Sequence, residues 1–144
     1  MLSENQVIEA VCDHLKTQGY VIIQRLTTRQ RGHDIIAAKQ STTPIDLHIE
    51  AKGETSDRQG SARHGKAFNS AQVSDHVASA FYCAASMLQE GVAKPSMRVG
   101  IALPDTPLHR SNVSKVASAL ASLQIAVFWV QPSLAVNVES TWSL

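Results

Sequence analysis

Glu50 and Lys52 stand two residues apart in the stretch IDLHIEAKG, residues 45–53, where apolar and polar side chains alternate one for one. Ile45, Leu47, Ile49 and Ala51 form one set; Asp46, His48, Glu50 and Lys52 form the other. Successive side chains of a β-strand point to opposite faces, so one face ends in a carboxylate beside an ammonium, just before Gly53. Earlier in the chain, Asp34 follows Gly32 and His33 and opens the apolar run IIAAK. If the two segments form a hairpin, Asp34 and Glu50 lie across from each other near one end of it. Two carboxylates that close repel, and each makes the other harder to ionise unless a cation lies between them. A hard divalent ion with oxygen ligands, Mg²⁺ or Mn²⁺, is the natural occupant. Lys52 beside that ion would orient or deprotonate an attacking water, or neutralise charge developing on a phosphate. That is the equipment for hydrolysing a phosphodiester. The plainer alternatives are a solvated sheet face carrying a Glu50–Lys52 ion pair, and a turn role for Asp34 after Gly32.

The elements that must position these residues follow from the hydrophobic pattern. Ser3 with Gln6 has the form of a capping box, and Ile8, Val11, Cys12 and Leu15 recur at helical spacing, which predicts a helix over 4–17 closed by Gly19. YVIIQRL (20–26), HDIIAAK (33–39) and IDLHIEAK (45–52) read as three consecutive strands, with QSTTP (40–44) as turn chemistry. Residues 53–66 are glycine-rich and basic and predict a loop. The stripe Val73, Val77, Ala80, Phe81, Ala84 and Leu88 predicts a long helix ending near Gly91. MRVGIAL (97–103) is a fourth strand, PDTPLHR (104–110) a loop, 111–124 a helix capped by Ser111 or Asn112, and the wholly apolar IAVFWV (125–130) a fifth strand inside the sheet. The last dozen residues carry no clear pattern, although Trp142 offers a docking side chain.

Gly32-His33-Asp34 followed by Glu50-Ala51-Lys52, inside an α-β-β-β-α-β order, resembles the PD-(D/E)XK nuclease superfamily. That group includes restriction endonucleases, archaeal-type Holliday junction resolvases and related DNA-repair nucleases. The resemblance covers about residues 4–90 by motif and the rest by element order, and His33 stands where the family motif has proline. It implies an α/β, restriction endonuclease-like fold: an α-β-β-β-α-β core with a mixed central sheet flanked by helices, plus an additional C-terminal helix and strand. It implies a metal-dependent DNA endonuclease in which Asp34, Glu50 and the backbone carbonyl of Ala51 bind Mg²⁺ or Mn²⁺ and Lys52 is catalytic. Many members place a glutamate on the first helix and a glutamine early in the helix after the third strand; Glu9 and Gln72 stand at about those places. The alternatives are a catalytically inactive nuclease-fold module that binds DNA or protein, and a small α/β ligand-binding protein in which the D…ExK spacing is coincidental.

Composition fits a single domain over 1–144. Hydrophobic residues are 44% and charged residues 17% of the chain, the balance of a globular protein rather than a disordered or fibrous one. Net charge is +1, so affinity for DNA would come from local excess, not from the bulk. Arg29 and Arg31, and in the loop Arg58, Arg63, His64 and Lys66, are placed to flank a phosphate backbone. With no second domain to read bases, target choice falls to DNA shape, a partner protein or a homodimer, since cutting both strands of a duplex requires two sites. Cys12 and Cys83 read as reduced core residues of a cytoplasmic protein. His48 reads as a buried, hydrogen-bonded histidine, and the six histidines show no zinc-site spacing. GxxxxGK[ST] and GxGxxG are absent, so no nucleotide cofactor is expected. No apolar run approaches the ~20 residues that span a bilayer, and the N-terminus lacks signal-peptide character.

Overall fold

A computed structural model of the chain describes residues 1–27, 32–56 and 65–144. The order is α1 (Glu4–Thr17), β1 (Val21–Arg25), β2 (Ile35–Lys39), β3 (Ile45–Ala51), α2 (Ser70–Glu90), β4 (Met97–Pro104), α3 (Pro107–Ser114), α4 (Ala117–Ser122), β5 (Ile125–Val130) and β6 (Val136–Glu139). The strands form one six-stranded mixed sheet in sequence order. β1, β2 and β3 make an antiparallel meander; β4 and β5 are parallel to β3, and β6 closes the far edge antiparallel to β5. Among the described residues, no helix is long and apolar enough to cross a membrane.

Helices cover both faces. Val7, Ile8, Val11 and Leu15 of α1 pack on Leu47, Ile49, Ala51, Ala102 and Phe128. On the other face, Val73, Val77, Ala80, Ala84 and Met87 of α2 pack on Val99, Ile101, Leu103 and Val127. The α1 capping box is formed in both directions: Gln6 N donates to Ser3 Oγ (3.3 Å) and Ser3 N to Gln6 Oε1 (2.9 Å).

Two expectations change in the C-terminal third. The helix expected over 111–124 begins earlier and is split into α3 and α4. Thr106, not Ser111 or Asn112, is the N-cap; its hydroxyl accepts from His109 N, and Pro107 takes the first helical position, where a missing N–H costs nothing. The residues expected to be patternless form β6, whose Val136 and Val138 turn inward, and Trp142 donates its indole N–H to Gln124 O (3.0 Å).

Gly53 explains how the end of β3 meets α1. A Cβ at this position would lie 2.4 Å from Glu4 N and 2.8 Å from the carbonyl carbon of Ser3, so only glycine lets the two backbones touch. The contact is fastened by Leu2 N to Glu54 Oε1 (2.7 Å) and Glu54 N to Leu2 O (2.8 Å).

Candidate active site

The β2–β3 register sets Ile35 opposite Ile49, so the next pair outward is Asp34 and Glu50. β2 begins only at Ile35, and the N–H of Ala51, which points to where an earlier start of β2 would lie, is taken instead by the Asp34 side chain: Ala51 N donates to Asp34 Oδ2 at 2.8 Å. The Asp34 and Glu50 carboxyl groups are close enough to interact directly. Glu50 is only 8% exposed, so its charge needs a partner. Lys52 supplies one, with Nζ donating to Glu50 Oε1 at 2.5 Å.

The electrostatics follow from this packing. Burial pushes the Asp34 carboxyl up to about 6; the Ala51 N–H works against the shift and the neighbouring Glu50 charge adds to it. Burial disfavours the Lys52 ammonium, but the Glu50 hydrogen bond and charge, then Glu4 and Asp34, outweigh it and raise its pKa above the ordinary lysine value. Lys52 is therefore held as an ammonium. It is built to donate hydrogen bonds or neutralise negative charge, not to deprotonate a water.

α2 lines the site with a polar flank. His76, Cys83 and Glu90 are spaced seven residues apart, two helical turns, and so share one stripe. His76 is directed at the backbone of Gly53, Cys83 lies near Glu50, and Glu90 Oε2 is 3.4 Å from His33 Nε2. Burial and the Glu50 carboxylate raise the Cys83 thiol above its ordinary range, so it is a neutral wall residue rather than a nucleophile. Both cysteines are free.

Glu9 and Gln72 are engaged with partners of their own. Glu9 is on the outer side of α1, its side chain 64% exposed and paired at 3.8 Å with Arg25. The α1 carboxylate that influences Lys52 is Glu4, which the Gly53 contact brings to the end of β3. Gln72 is engaged at the start of α2. It is the third residue of α2, and its side chain closes a capping box: Asn69 N donates to Gln72 Oε1 (3.0 Å) and Gln72 N to Asn69 Oδ1 (3.0 Å). Lys66 is exposed near this end of the sheet, its carbonyl accepting from Thr55 Oγ1 at 3.1 Å. Arg29, Arg31, Arg58, Arg63 and His64 lie outside the described residues. His48 is half-buried and bonded to His33, Nδ1 to Nδ1 at 2.6 Å.

Among the described residues, no three His, Cys, Asp or Glu side chains converge as a ready-made metal cage. The donor set fits a different kind of ion. Asp34 and Glu50 are hard oxygen donors at adjacent positions, the arrangement that suits Mg²⁺ or Mn²⁺, which keep several waters and use one or two carboxylates.

No protein-family model matches the chain, and no curated protein matches it. Among solved structures, SfsA of Pyrococcus furiosus, determined in complex with Ca²⁺, aligns over 98% of this chain and 60% of its own, with 15% identity and a TM-score of 0.36. The chain thus spans about three fifths of that protein's length, and a likeness of this size carries no argument about fold or function.

Proposed function

We propose that the chain is a divalent-metal-dependent endonuclease of restriction endonuclease-like fold that hydrolyses phosphodiester bonds in DNA. One observation carries the reading: the hairpin register sets Asp34 beside Glu50, and Lys52 sits on Glu50, all at one end of β3. Asp34, Glu50 and the Ala51 carbonyl would hold Mg²⁺ or Mn²⁺. When bound, that ion would supply Lewis-acid charge at the scissile phosphate and make a bound water easier to deprotonate. Ala51 N–H fixes one Asp34 oxygen and leaves the other for this work. The Lys52 ammonium donates to the attacking water or to a phosphate oxygen, offsetting charge that grows as water oxygen bonds to phosphorus and the ester P–O bond breaks. Buried partners hold both groups in place, so little reorganisation is required as charge develops. Lys66 and the basic residues of the two loops would supply sequence-independent contacts to the backbone, and two copies of the chain would be needed to cut both strands of a duplex.

The test is cleavage of labelled duplex, single-stranded, flap and four-way-junction DNA with Mg²⁺ or Mn²⁺, comparing the unmodified chain with Lys52→Ala. The expected result is metal-dependent cutting that falls at least a hundredfold in the variant, as for loss of one buried charge-stabilising donor. No cutting, together with no Mn²⁺ binding by calorimetry, would overturn the proposal in favour of an inactive nuclease-fold module that binds DNA or protein.

A further inference from the structure

Asp34 stands at the mouth of β2, directly after His33, and what holds it there is not the strand alone. Its own carbonyl accepts from Leu26 N (2.8 Å), and its carboxylate accepts from Ala51 N (2.8 Å). The rest of the anchorage belongs to His33. The His33 carbonyl accepts from Gln24 Nε2 (2.9 Å), and its ring crosses to β3, where Nδ1 meets His48 Nδ1 at 2.6 Å with the rings edge-to-face at 73°. The opposite ring nitrogen, Nε2, faces Glu90 at 3.4 Å, on the last residue of α2. Two nitrogens at that separation share one proton. The Glu90 carboxylate favours the hydrogen on His33 Nε2, which leaves His33 Nδ1 as acceptor and makes His48 Nδ1 the donor. His33 uses its two nitrogens on two different partners in opposite directions, so the three side chains form a line and not a metal-binding cluster. That line ties β3, the Asp34 corner and the end of α2 together.

We infer that His33 is a positioning residue, which acts through His48 and Glu90 to hold the Asp34 carboxylate on Ala51 N–H and opposite Glu50. The consequence for catalysis rests on the nuclease reading; the positioning itself does not, and the Ala51 amide reports it without metal or DNA.

The experiment is amide hydrogen exchange and ¹H–¹⁵N spectroscopy on the full chain without metal, comparing His33→Ala, His48→Ala, the double variant and His33→Gln. In each single variant the Ala51 amide shifts and exchanges about five- to tenfold faster, the loss of roughly one net hydrogen bond, while amides of β4 and β5 keep their protection. The double variant is no worse than either single one, because both remove the same contact. His33→Gln, whose amide oxygen can accept from His48 Nδ1, recovers part of the protection. In a chain that cleaves DNA, His33→Ala lowers kcat with little change in KM. An Ala51 amide in His33→Ala identical to that of the unmodified chain would overturn the inference, as would fully additive effects in the double variant. If the chain cuts no DNA, the nuclease reading fails, and the Ala51 amide still decides the role of His33.

Discussion

The two faces of β3 do opposite work. Leu47, Ile49 and Ala51 on the α1 side are wholly buried, and their side chains belong to the apolar cluster beneath α1. Asp46, His48, Glu50 and Lys52 on the α2 side are polar: Lys52 lies near His76, Glu50 near Cys83, His48 reaches Glu90 through His33, and the exposed Asp46 accepts from Ser96 Oγ. The apolar stripe of α2 lies over β4 and β5, where Val99, Ile101, Leu103 and Val127 complete the second core. So α2 covers an apolar half of the sheet with one flank and a polar half with the other. The lesson is a division of labour by strand periodicity: a period of two lets one segment of seven residues anchor a core and present a charged site without either intruding on the other. The polar half makes the weaker contribution to stability, because burying Glu50 and Lys52 requires desolvating two charges that their mutual attraction only partly offsets.

The sharpest contrast is obtained by truncating the apolar face. Ile49 is fully buried between α1 and the sheet, so Ile49→Ala is expected to lower unfolding free energy by about 2–5 kcal/mol through lost transfer energy and a residual cavity. Urea denaturation measures it. Folded Ile49→Ala should still show the Lys52-dependent chemistry per folded molecule, since its side chain points away from Glu50. If activity per folded molecule fell a hundredfold, the two faces would be coupled and the division drawn above would fail.

Next in size is Asp34→Asn, which probes the polar face by pH. The folded-state pKa of Asp34 is raised to about 6 from an ordinary aspartate value near 4, chiefly by burial. The folded state therefore holds this proton more tightly than the unfolded chain does. Stability from this group is fully present below the unfolded pKa and is lost as pH rises through about 6. At pH 8 the ionised carboxylate is a burden, and Asp34→Asn should raise unfolding free energy by about 1–2 kcal/mol, discounting for partial solvation. Below pH 4 the gain should vanish. Melting temperature against pH measures both. Millimolar Mn²⁺ at pH 8 should stabilise the unmodified chain by about 2.7 kcal/mol at a hundred times Kd and leave Asp34→Asn unchanged. A variant less stable than the parent at pH 8 would mean that the Ala51 N–H bond outweighs burial.

Much of this arrangement is legible in the residues, and the reason is strand and helix periodicity. The alternation in IDLHIEAK, the capping box at Ser3 and the apolar stripe of α2 are local, and each element appears within a residue or two of where the pattern places it. The Asp34–Glu50 juxtaposition required one further assumption, a hairpin between consecutive strands. What was not legible depends on contacts between distant parts of the chain. Glu9 and Glu4 are both on α1, and only the Gly53 contact selects Glu4 as the residue near Lys52. His33 and His48 show no metal-site spacing because their pairing is set across two strands. PDTPLHR reads as a loop because proline usually signals one, yet Thr106 and Pro107 form a helix start, the one place where proline helps.

The smallest effect decides between two roles for Gln72. Its side chain accepts from Asn69 N, so it is engaged at the start of α2. Gln72→Ala removes one half of the capping box and is expected to lower stability by about 0.5–1 kcal/mol. Gln72→Glu should recover it, since a carboxylate at this position accepts the same N–H and sits at the positive end of the helix dipole. DNA cleavage per folded molecule should be unchanged in both. A glutamine that touched the metal-bound water would give the opposite pattern: unchanged melting and at least tenfold slower cutting, with glutamate failing to restore the rate because it adds a charge beside two carboxylates that already repel. Melting temperature and single-turnover cleavage, measured on the same three proteins, separate a cap on the polar flank from a member of the site.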